Sequence, residues 1–253
     1  MFTNVLAPLA CSALARGPAL ARSSLLARGA LRMSGGGAAA PPQSLKLYYG
    51  DMPFWRAEVV RLALHIGGVP FEDVRDTKAV REAGKLTFGA VPVLEVDGQI
   101  LSQTQAMASY SGKLARIHPE GAWQQAKVDE AINGCTDVTG TIGATFRLPD
   151  AEKVAARQEL CAPDGRLTLH LGGLEKLCAG NDSASGFAVG ESLTVADLAI
   201  WRLCGWVSAG VIDGIDPGYV SSRFPRLALL ISAVDAHPKV AEWKARFPEF
   251  YAK

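Results

Sequence analysis

A change of hydrophobic pattern near residue 120 constrains the fold of this 253-residue chain more than any other feature. Up to Pro119, segments with the two-residue period of a strand alternate with segments of helical period. Beyond residue 123 no strand-like alternation is left, and helical spacing covers four or five stretches: roughly 123–146, 152–178, 194–210, 225–236 and 239–246. The pattern predicts an α/β part followed by an all-helical part.

The α/β part begins with a strand in which apolar and polar residues alternate. Leu45, Leu47 and Tyr49 fall on one face, and Lys46 and Tyr48 fall on the other. A helix, a second short strand, a gap, two more strands and a helix follow in that order. The first β-α-β unit predicts two parallel strands, because a crossover helix returns the chain to the same end of the sheet.

The third and fourth strands form a predicted hairpin over residues 91–102. Asp97-Gly98 separates them, which is a favoured two-residue turn because both positions tolerate positive φ. Pro92 removes one backbone donor from the sheet. It therefore requires an edge, a first strand position, a bulge or a cis bond.

Two features of the helical part point to structure and not to chemistry. Thr194 and Asp197 have the spacing of a capping box and predict the start of a buried helix. The cysteines after the first 43 residues form no C-x-x-C pair and no cluster with metal-ligand spacing, which excludes a disulfide scaffold. We expect them to be small buried residues: Cys135, Cys161, Cys178 and Cys204.

Residues 1–43 differ in composition from the rest of the chain. They hold four arginines and no acidic residue, and they end in a run of Gly, Ala and Pro. A basic, acid-free segment that cannot build a core is typical of an organelle-targeting leader, for a plastid or a mitochondrion. The alternatives are a secretory signal over residues 2–15, a signal followed by a transit peptide, a disordered extension on a cytoplasmic protein, and a start at Met33.

Composition and charge exclude several classes of protein. Hydrophobic residues make up 49% of the chain and charged residues 20%, as in ordinary globular domains. Without residues 1–43 the formal charge is −3, from 22 basic and 25 acidic side chains, which is no electrostatic footprint for nucleic acid. No run approaches about 18 apolar residues, so no membrane span is expected.

Four segments together resemble the cytosolic glutathione transferase family. They are Lys46-Leu-Tyr-Tyr49, Arg56-Ala-Glu58, residues 88–98 and residues 187–198. The first two segments and the Gln-Thr pair at 103–104 look most like the sigma class, which includes glutathione-dependent prostaglandin D synthases. The resemblance implies a thioredoxin-like glutathione-binding domain at 44–119, an all-helical domain at 120–253, and a homodimer.

The resemblance assigns the catalytic role to Tyr49. A free thiol has a pKa of about 8.5, and its thiolate is the nucleophile. A neutral tyrosine hydroxyl can donate a hydrogen bond to the glutathione sulfur, which stabilises the thiolate. Tyr48 faces the other side of the strand, so only one of the two can serve. Arg56 matches a family arginine beside that tyrosine and would stabilise negative charge there.

The family's other glutathione contacts match residues further along the chain. Val91, before a cis-Pro92, would offer its backbone N–H and C=O to the cysteinyl part of glutathione. Gln103 and Thr104 would bind the γ-glutamyl carboxylate, since a hydroxyl and backbone N–H groups at a helix N-terminus form an anion site. Asp137 would reach the amino group of glutathione in the partner subunit.

The sequence departs from the sigma pattern in two places. One residue is inserted after Met52, which could shift the tyrosine relative to the thiol. Ala79 and Ala83 stand where the family has the Trp and Lys ligands of the glycine carboxylate. Lys85 or Arg81 could substitute, because either can pair with a carboxylate.

These residues predict a glutathione transferase that conjugates the glutathione thiolate to hydrophobic electrophiles, with glutathione as co-substrate and no metal. Apolar side chains of the helical domain, such as Phe146, would line the electrophile pocket. Two alternatives stay open. One is a glutathione-dependent isomerase of prostaglandin- or oxylipin-type substrates, and the other is a non-catalytic ligand-binding protein on the same fold.

Overall fold

The computed structural model describes residues 41–251, so the predicted leader lies outside them apart from residues 41–43. The first part of the described chain combines a four-stranded sheet with helices. In chain order its elements are β1 (Leu45–Tyr48), α1 (Trp55–Ile66), β2 (Glu72–Val74), α2 (Lys78–Glu82), β3 (Val93–Val96), β4 (Gln99–Ser102) and α3 (Thr104–Leu114).

The strands lie in the order β2-β1-β3-β4. β1 and β2 are parallel, while β3 pairs antiparallel with both β1 and β4. Both the predicted β-α-β unit and the predicted hairpin are confirmed. Asp97 and Gly98 have φ of 48° and 84°, as this turn requires, and the Val91–Pro92 bond is cis.

Alternation along β1 decides which face of the sheet is covered. Leu45 and Leu47 are buried, whereas Lys46 and Tyr48 are half-buried. α1 packs against α3 within this part of the chain, and its apolar residues join Leu47 and Leu94 in one continuous core. The same helix also packs extensively against the helical part, which fixes the two parts against each other.

The second part of the described chain is entirely helical, so the predicted fold class is confirmed. Its helices are α4 (Ala122–Thr145), α5 (Asp150–Leu160), α6 (Arg166–Ala179), α7 (Val195–Val207), α8 (Tyr219–Arg223), α9 (Pro225–Asp235), α10 (Pro238–Arg246) and α11 (Pro248–Tyr251). None of the helices within residues 41–251 is both long enough and apolar enough to cross a membrane.

One predicted helix is wrong, because the stretch 152–178 is divided into α5 and α6. Pro163 cannot donate a backbone hydrogen bond, and it lies in the break between them. Gly165 directly precedes α6 and lies so close to the end of α5 that a Cβ atom there would lie 2.3 Å from the Leu160 carbonyl oxygen. Pro163-Asp-Gly165 was therefore the turn signal that helical periodicity concealed.

The central helix α7 begins with the predicted capping box. Asp197 is buried and accepts hydrogen bonds from the Thr194 N–H and hydroxyl at 2.7 and 2.8 Å, and from the Ala188 N–H at 2.6 Å. The Thr194 hydroxyl in turn accepts from the Ala196 N–H. Burial raises the pKa of the Asp197 carboxyl to about 6, although these hydrogen bonds oppose the rise.

The described cysteines are mostly core residues, as predicted. Cys135, Cys178 and Cys204 are buried, and Cys161 is partly exposed at the end of α5. All four are free thiols. Burial raises the pKa of each of them, for Cys178 and Cys204 to about 12.

Candidate active site

The sheet register brings the predicted site residues to one edge of the fold. Tyr48 lies opposite Val93 in β3, and Val93 lies opposite Ser102 in β4. The next residue beyond this row is Tyr49 in the first strand, Pro92 before the third, and Gln103 after the fourth. Three segments that are distant in sequence therefore meet at the same end of the sheet.

Tyr49 ends the first strand with its ring half-buried. Its N–H donates to the Val74 carbonyl oxygen at 3.1 Å, which continues the pairing with β2 and fixes the backbone. Burial raises the pKa of the Tyr49 hydroxyl, and the positive charges of Arg56 and Arg61 oppose the rise. The hydroxyl therefore stays protonated at neutral pH and is available as a hydrogen-bond donor.

Arg56 lies in the first turn of α1, directly after the loop that follows Tyr49. Its guanidinium group lies 6.0 Å from the centre of the Phe54 ring, and its charge acts on the Tyr49 hydroxyl. Phe54 packs edge-on against Trp206 of α7 with ring centres 5.1 Å apart. Phe54, a bulky residue in the loop that carries the inserted residue, thus packs against the helical part.

The start of α3 has the features of an anion site. Gln103 precedes the helix with φ of 72° and makes no side-chain cap hydrogen bond. The first N–H groups of a helix have no intrahelical acceptor. At the start of α3 no side-chain cap supplies one either. Thr104 is half-buried at the first helical position, and the neighbouring Ser102 Oγ is buried without a hydrogen-bond partner among the described residues.

A buried ion-pair network beneath Tyr49 was not predicted from the sequence. The Arg61 side chain is only 1% exposed and pairs with Glu58 at 3.1 Å and with Asp73 of β2 at 3.0 Å. Its guanidinium lies 5.9 Å from the centre of the Tyr49 ring. The available signal was a charged pair spaced i, i+3 within an otherwise apolar helix, since Lys, Arg, Asp and Glu are rarely buried unless paired.

Comparisons with known proteins agree with this geometry. Residues 136–246 match the family model described as "Glutathione S-transferase, C-terminal domain". Glutathione S-transferase 1 of Ascaris suum is 32% identical over 215 residues, which covers 81% of this chain and 97% of the relative. The chain belongs to the glutathione S-transferase family.

Two further proteins resemble this transferase. Hematopoietic prostaglandin D synthase of Homo sapiens is 30% identical over 210 residues, covering 81% of this chain and 96% of the relative. The solved structure of monomeric Na-GST-3 from the hookworm Necator americanus has a TM-score of 0.65 and 25% identity, covering 80% and 97% of the two chains. The family resemblance found in the sequence is thereby confirmed.

The two candidate replacements for the family's glycine-carboxylate ligands lie near α2. The Lys85 ammonium pairs with the Glu95 carboxylate of β3 at 3.0 Å, and about half of the lysine side chain is exposed. Arg81 is exposed and donates to the Thr77 hydroxyl at 3.3 Å. A glutathione carboxylate at Lys85 would therefore either share the ammonium group with Glu95 or displace Glu95 from it.

Asp137 lies on α4, in the helical part of this transferase, and not on the strands that carry the sheet-edge residues. Its side chain is exposed on α4 and lines a groove of about 430 Å³ between α4 and α6, together with Leu169 and His170. Its predicted contact is with glutathione of a partner subunit, and an outward-facing position is compatible with that role.

Phe146, the predicted electrophile contact, directly follows α4, and half of its side chain is exposed. The Arg157 guanidinium of α5 lies 4.9 Å from the ring centre, so one face of the ring is covered. Within residues 41–251, no three His, Cys, Asp or Glu side chains are grouped so that they could hold a metal ion.

Proposed function

We propose that this family member is an active transferase in which Tyr49 stabilises the thiolate of glutathione. The observation that carries the proposal is a half-buried tyrosine at the sheet edge, whose hydroxyl is protonated at neutral pH and feels the positive charges of Arg56 and Arg61. Such a hydroxyl donates a hydrogen bond to the glutathione sulfur and favours its charged form. The two positive charges add to that stabilisation.

In the proposed reaction the glutathione thiol first loses its proton to solvent. The thiolate then attacks an electrophilic carbon, forms a carbon–sulfur bond and displaces a leaving group with its electron pair. No step requires a metal, so a chelator should leave the rate unchanged. Hydrophobic electrophiles would contact exposed apolar side chains, among them Met52 and Phe146, and their conjugation would be a detoxification reaction.

The proposed glutathione contacts follow the sheet edge. Gln103, Thr104 and the first N–H groups of α3 would bind the γ-glutamyl carboxylate, and the uncapped helix start supports this role. The backbone of Val91 beside Pro92 would bind the cysteinyl part. Lys85 would bind the glycine carboxylate after leaving Glu95.

The direct test is the ultraviolet signal of thiolate when glutathione is mixed with the full chain at neutral pH. A rise in the signal as protein is added means that the bound thiol is ionised, as the proposal requires. Glutathione that binds without a thiolate signal would overturn the proposal and leave a non-catalytic ligand-binding protein. No binding at all would reject both.

Isomerisation of a prostaglandin-type substrate is the second candidate, and the similarity to hematopoietic prostaglandin D synthase favours it. The same thiolate serves both reactions. Turnover of a prostaglandin endoperoxide compared with a simple aryl halide separates them. Rapid endoperoxide turnover with little conjugation of the aryl halide would favour the isomerase.

We propose a homodimer on the basis of exposed apolar side chains. Phe88, in the loop before Val91, is 65% exposed, and Leu169 beside the Asp137 groove is 59% exposed. A second copy of the chain packed on these side chains would remove their apolar surface from water. Light scattering should give twice the chain mass, and Phe88→Ser should give a monomer, whereas Val211→Ser at another exposed site should not. A monomeric wild type, as in Na-GST-3, would reject this proposal.

We propose that residues 1–43 direct the protein to a plastid or a mitochondrion. Their basic, acid-free composition supports this proposal. A fluorescent fusion of residues 1–43 should enter one of the two organelles, and the mature protein should begin near Ser44. A fusion protein spread through the cytoplasm would instead favour a disordered extension on a cytoplasmic protein.

A further inference from the structure

Arg61 holds the loop that joins β1 to α1, here called the β1–α1 loop (residues 50–54). It donates hydrogen bonds to the carbonyl oxygens of Gly50 and Met52 at 3.3 and 3.1 Å. The same guanidinium group lies against the Tyr49 ring. A single buried cation therefore contacts the tyrosine and two carbonyl groups in the first half of the β1–α1 loop.

Two other arginines hold the remainder of the β1–α1 loop. Arg75, which follows β2, pairs with the Asp51 carboxylate. Arg202 of α7 donates to the Pro53 carbonyl oxygen. The longer loop, with its inserted residue, is thus anchored from the sheet, from α1 and from the helical part.

The C-terminal segment (residues 243–251) packs against this arrangement. Glu58, the buried carboxylate paired with Arg61, accepts hydrogen bonds from Trp243 Nε1 at 2.6 Å and from the Tyr251 hydroxyl. The Tyr251 ring stacks on Trp201 with centres 5.9 Å apart. The C-terminal segment therefore determines which acceptor positions of Glu58 remain for Arg61.

The same segment also covers the other two arginines. The Arg75 guanidinium lies 5.0 Å from the centre of the Phe247 ring and 5.7 Å from that of Phe250. The Arg202 guanidinium lies 5.4 Å from the centre of the Tyr251 ring. Cation–aromatic contacts of this length orient a guanidinium group as well as attracting it.

We propose that the C-terminal segment is a positioning element for catalysis: it orients the three arginines that hold the β1–α1 loop, and thereby the Tyr49 hydroxyl. This inference rests on the proposed function of Tyr49. None of the three arginines is among the residues assigned to glutathione. The segment should thus act on thiol ionisation and leave the affinity for the rest of glutathione unchanged.

Two variants of the full chain test the proposal. Tyr251→Phe removes only the hydroxyl that binds Glu58, and a chain ending at Phe247 removes α11. For each we would record the ultraviolet thiolate signal of bound glutathione across the pH range in which the thiol ionises. We expect the midpoint for Tyr251→Phe to rise by about half a pH unit, which is roughly a threefold fall in the ratio of thiolate to thiol at a given pH. The shortened chain should lose more.

Binding of S-methylglutathione, which has no thiol, supplies the matching measurement. Its dissociation constant should change by less than about twofold in both variants, because this ligand has no thiol to ionise. Such a change is smaller than the roughly threefold effect of half a pKa unit on the thiol. Tyr219→Phe is the matched control, because it removes a hydroxyl that bonds to Thr168 at 2.6 Å in the helical part, and it should leave the thiolate midpoint unchanged.

The outcomes are distinguishable. A wild-type midpoint in both Tyr251→Phe and the shortened chain overturns the positioning role, and Tyr251→Phe alone decides if the shortened chain does not fold. An equal shift in Tyr219→Phe also overturns it, because the effect would then be general destabilisation. Absence of any thiolate signal in the wild type means instead that the proposed function itself has failed.

Discussion

The indole N–H of Trp55 donates a hydrogen bond of 2.8 Å to the hydroxyl of Thr139, and both side chains are buried. Trp55 begins α1 and Thr139 lies in α4, so this bond joins the α/β part to the helical part. The Thr139 hydroxyl itself donates to the Cys135 carbonyl oxygen at 2.8 Å. Both hydrogen-bonding roles of one hydroxyl are therefore satisfied in the core.

We expect Thr139→Val to lower the free energy of unfolding by about 1–3 kcal/mol, because it leaves the buried Trp55 N–H without an acceptor. Thr139→Ser keeps the hydroxyl and should cost clearly less. Thr136→Val, on the exposed side of α4, should be close to neutral. Urea unfolding of the full chain measures all three. If Thr139→Val and Thr139→Ser lowered the free energy of unfolding equally, the hydrogen bond from Trp55 would not be what stabilises this contact.

Tyr49→Phe should lower kcat/KM for an aryl halide by about a hundredfold, the cost of removing one donor to a developing anion. The pH midpoint of the reaction should rise toward about 8.5, the value of a free thiol. Tyr48→Phe is the matched control on the other face of the strand and should behave as wild type. Activity retained in Tyr49→Phe and lost in Tyr48→Phe would reverse the assignment.

Thr104→Val should weaken glutathione binding by about tenfold or more, because a hydrogen bond to a charged group contributes about 1.5–3 kcal/mol. Cysteinylglycine lacks the γ-glutamyl group and should bind both proteins equally weakly. Calorimetric titration gives the dissociation constants. A similar loss for both ligands would mean that Thr104 supports the fold of the site and does not contact the carboxylate.

Lys85 and Glu95 allow opposite predictions for the glycine carboxylate. Lys85→Ala should weaken glutathione binding, since it removes the proposed cation. Glu95→Gln frees Lys85 from its 3.0 Å partner and should tighten binding, by up to about fivefold, the upper range for a partly exposed ion pair. Arg81→Ala is the comparison. If it weakens binding and both other variants are neutral, Arg81 is the ligand.

Asp197 should make stability depend on pH. Its pKa is about 6 when folded and near 3.8 when unfolded, so between these values the folded chain holds a proton that the unfolded chain has lost. The contribution of Asp197 to the free energy of unfolding is therefore largest below about pH 4. It falls as pH rises to 6, by up to about 1.4 kcal/mol per pH unit.

Asp197→Asn tests this dependence because asparagine does not titrate. The variant should be less stable overall, since its amide nitrogen cannot accept from Thr194. The difference in the free energy of unfolding between wild type and Asp197→Asn should become smaller as pH rises from about 4 to 6, because only the wild type loses stability over this range. Urea unfolding at a series of pH values gives the difference. Parallel stability curves for the two proteins would contradict the raised pKa.

Local pattern was sufficient for most of the fold. Alternation in β1, the Asp97-Gly98 turn and the Thr194 capping box each determine their own neighbourhood, and each was predicted from a few adjacent residues. The helix predicted over 152–178 failed because apolar periodicity continues through the break, although Pro163 and Gly165 mark it. Here a single turn divides the chain into two helices, although the periodic pattern on both sides of it is helical.

The candidate site could be predicted only in part, because some of its contacts span the whole chain. Tyr49, Pro92 and Gln103 were predicted from segments that resemble the family, and the sheet register brings them together. The bond between Glu58 and Tyr251 joins residues 193 positions apart. Nothing in either local sequence indicates the other, so only the folded structure reveals that contact.

The buried cysteines have a consequence for a protein that handles electrophiles. Any reagent that alkylates glutathione can also alkylate protein thiols, and the thiolate is the reactive form in both. The described thiols of this chain have pKa values raised by burial, while the proposed site lowers that of glutathione. Within the described residues, burial thus keeps the cysteine thiols in their less reactive protonated form, whereas the proposed site would ionise glutathione.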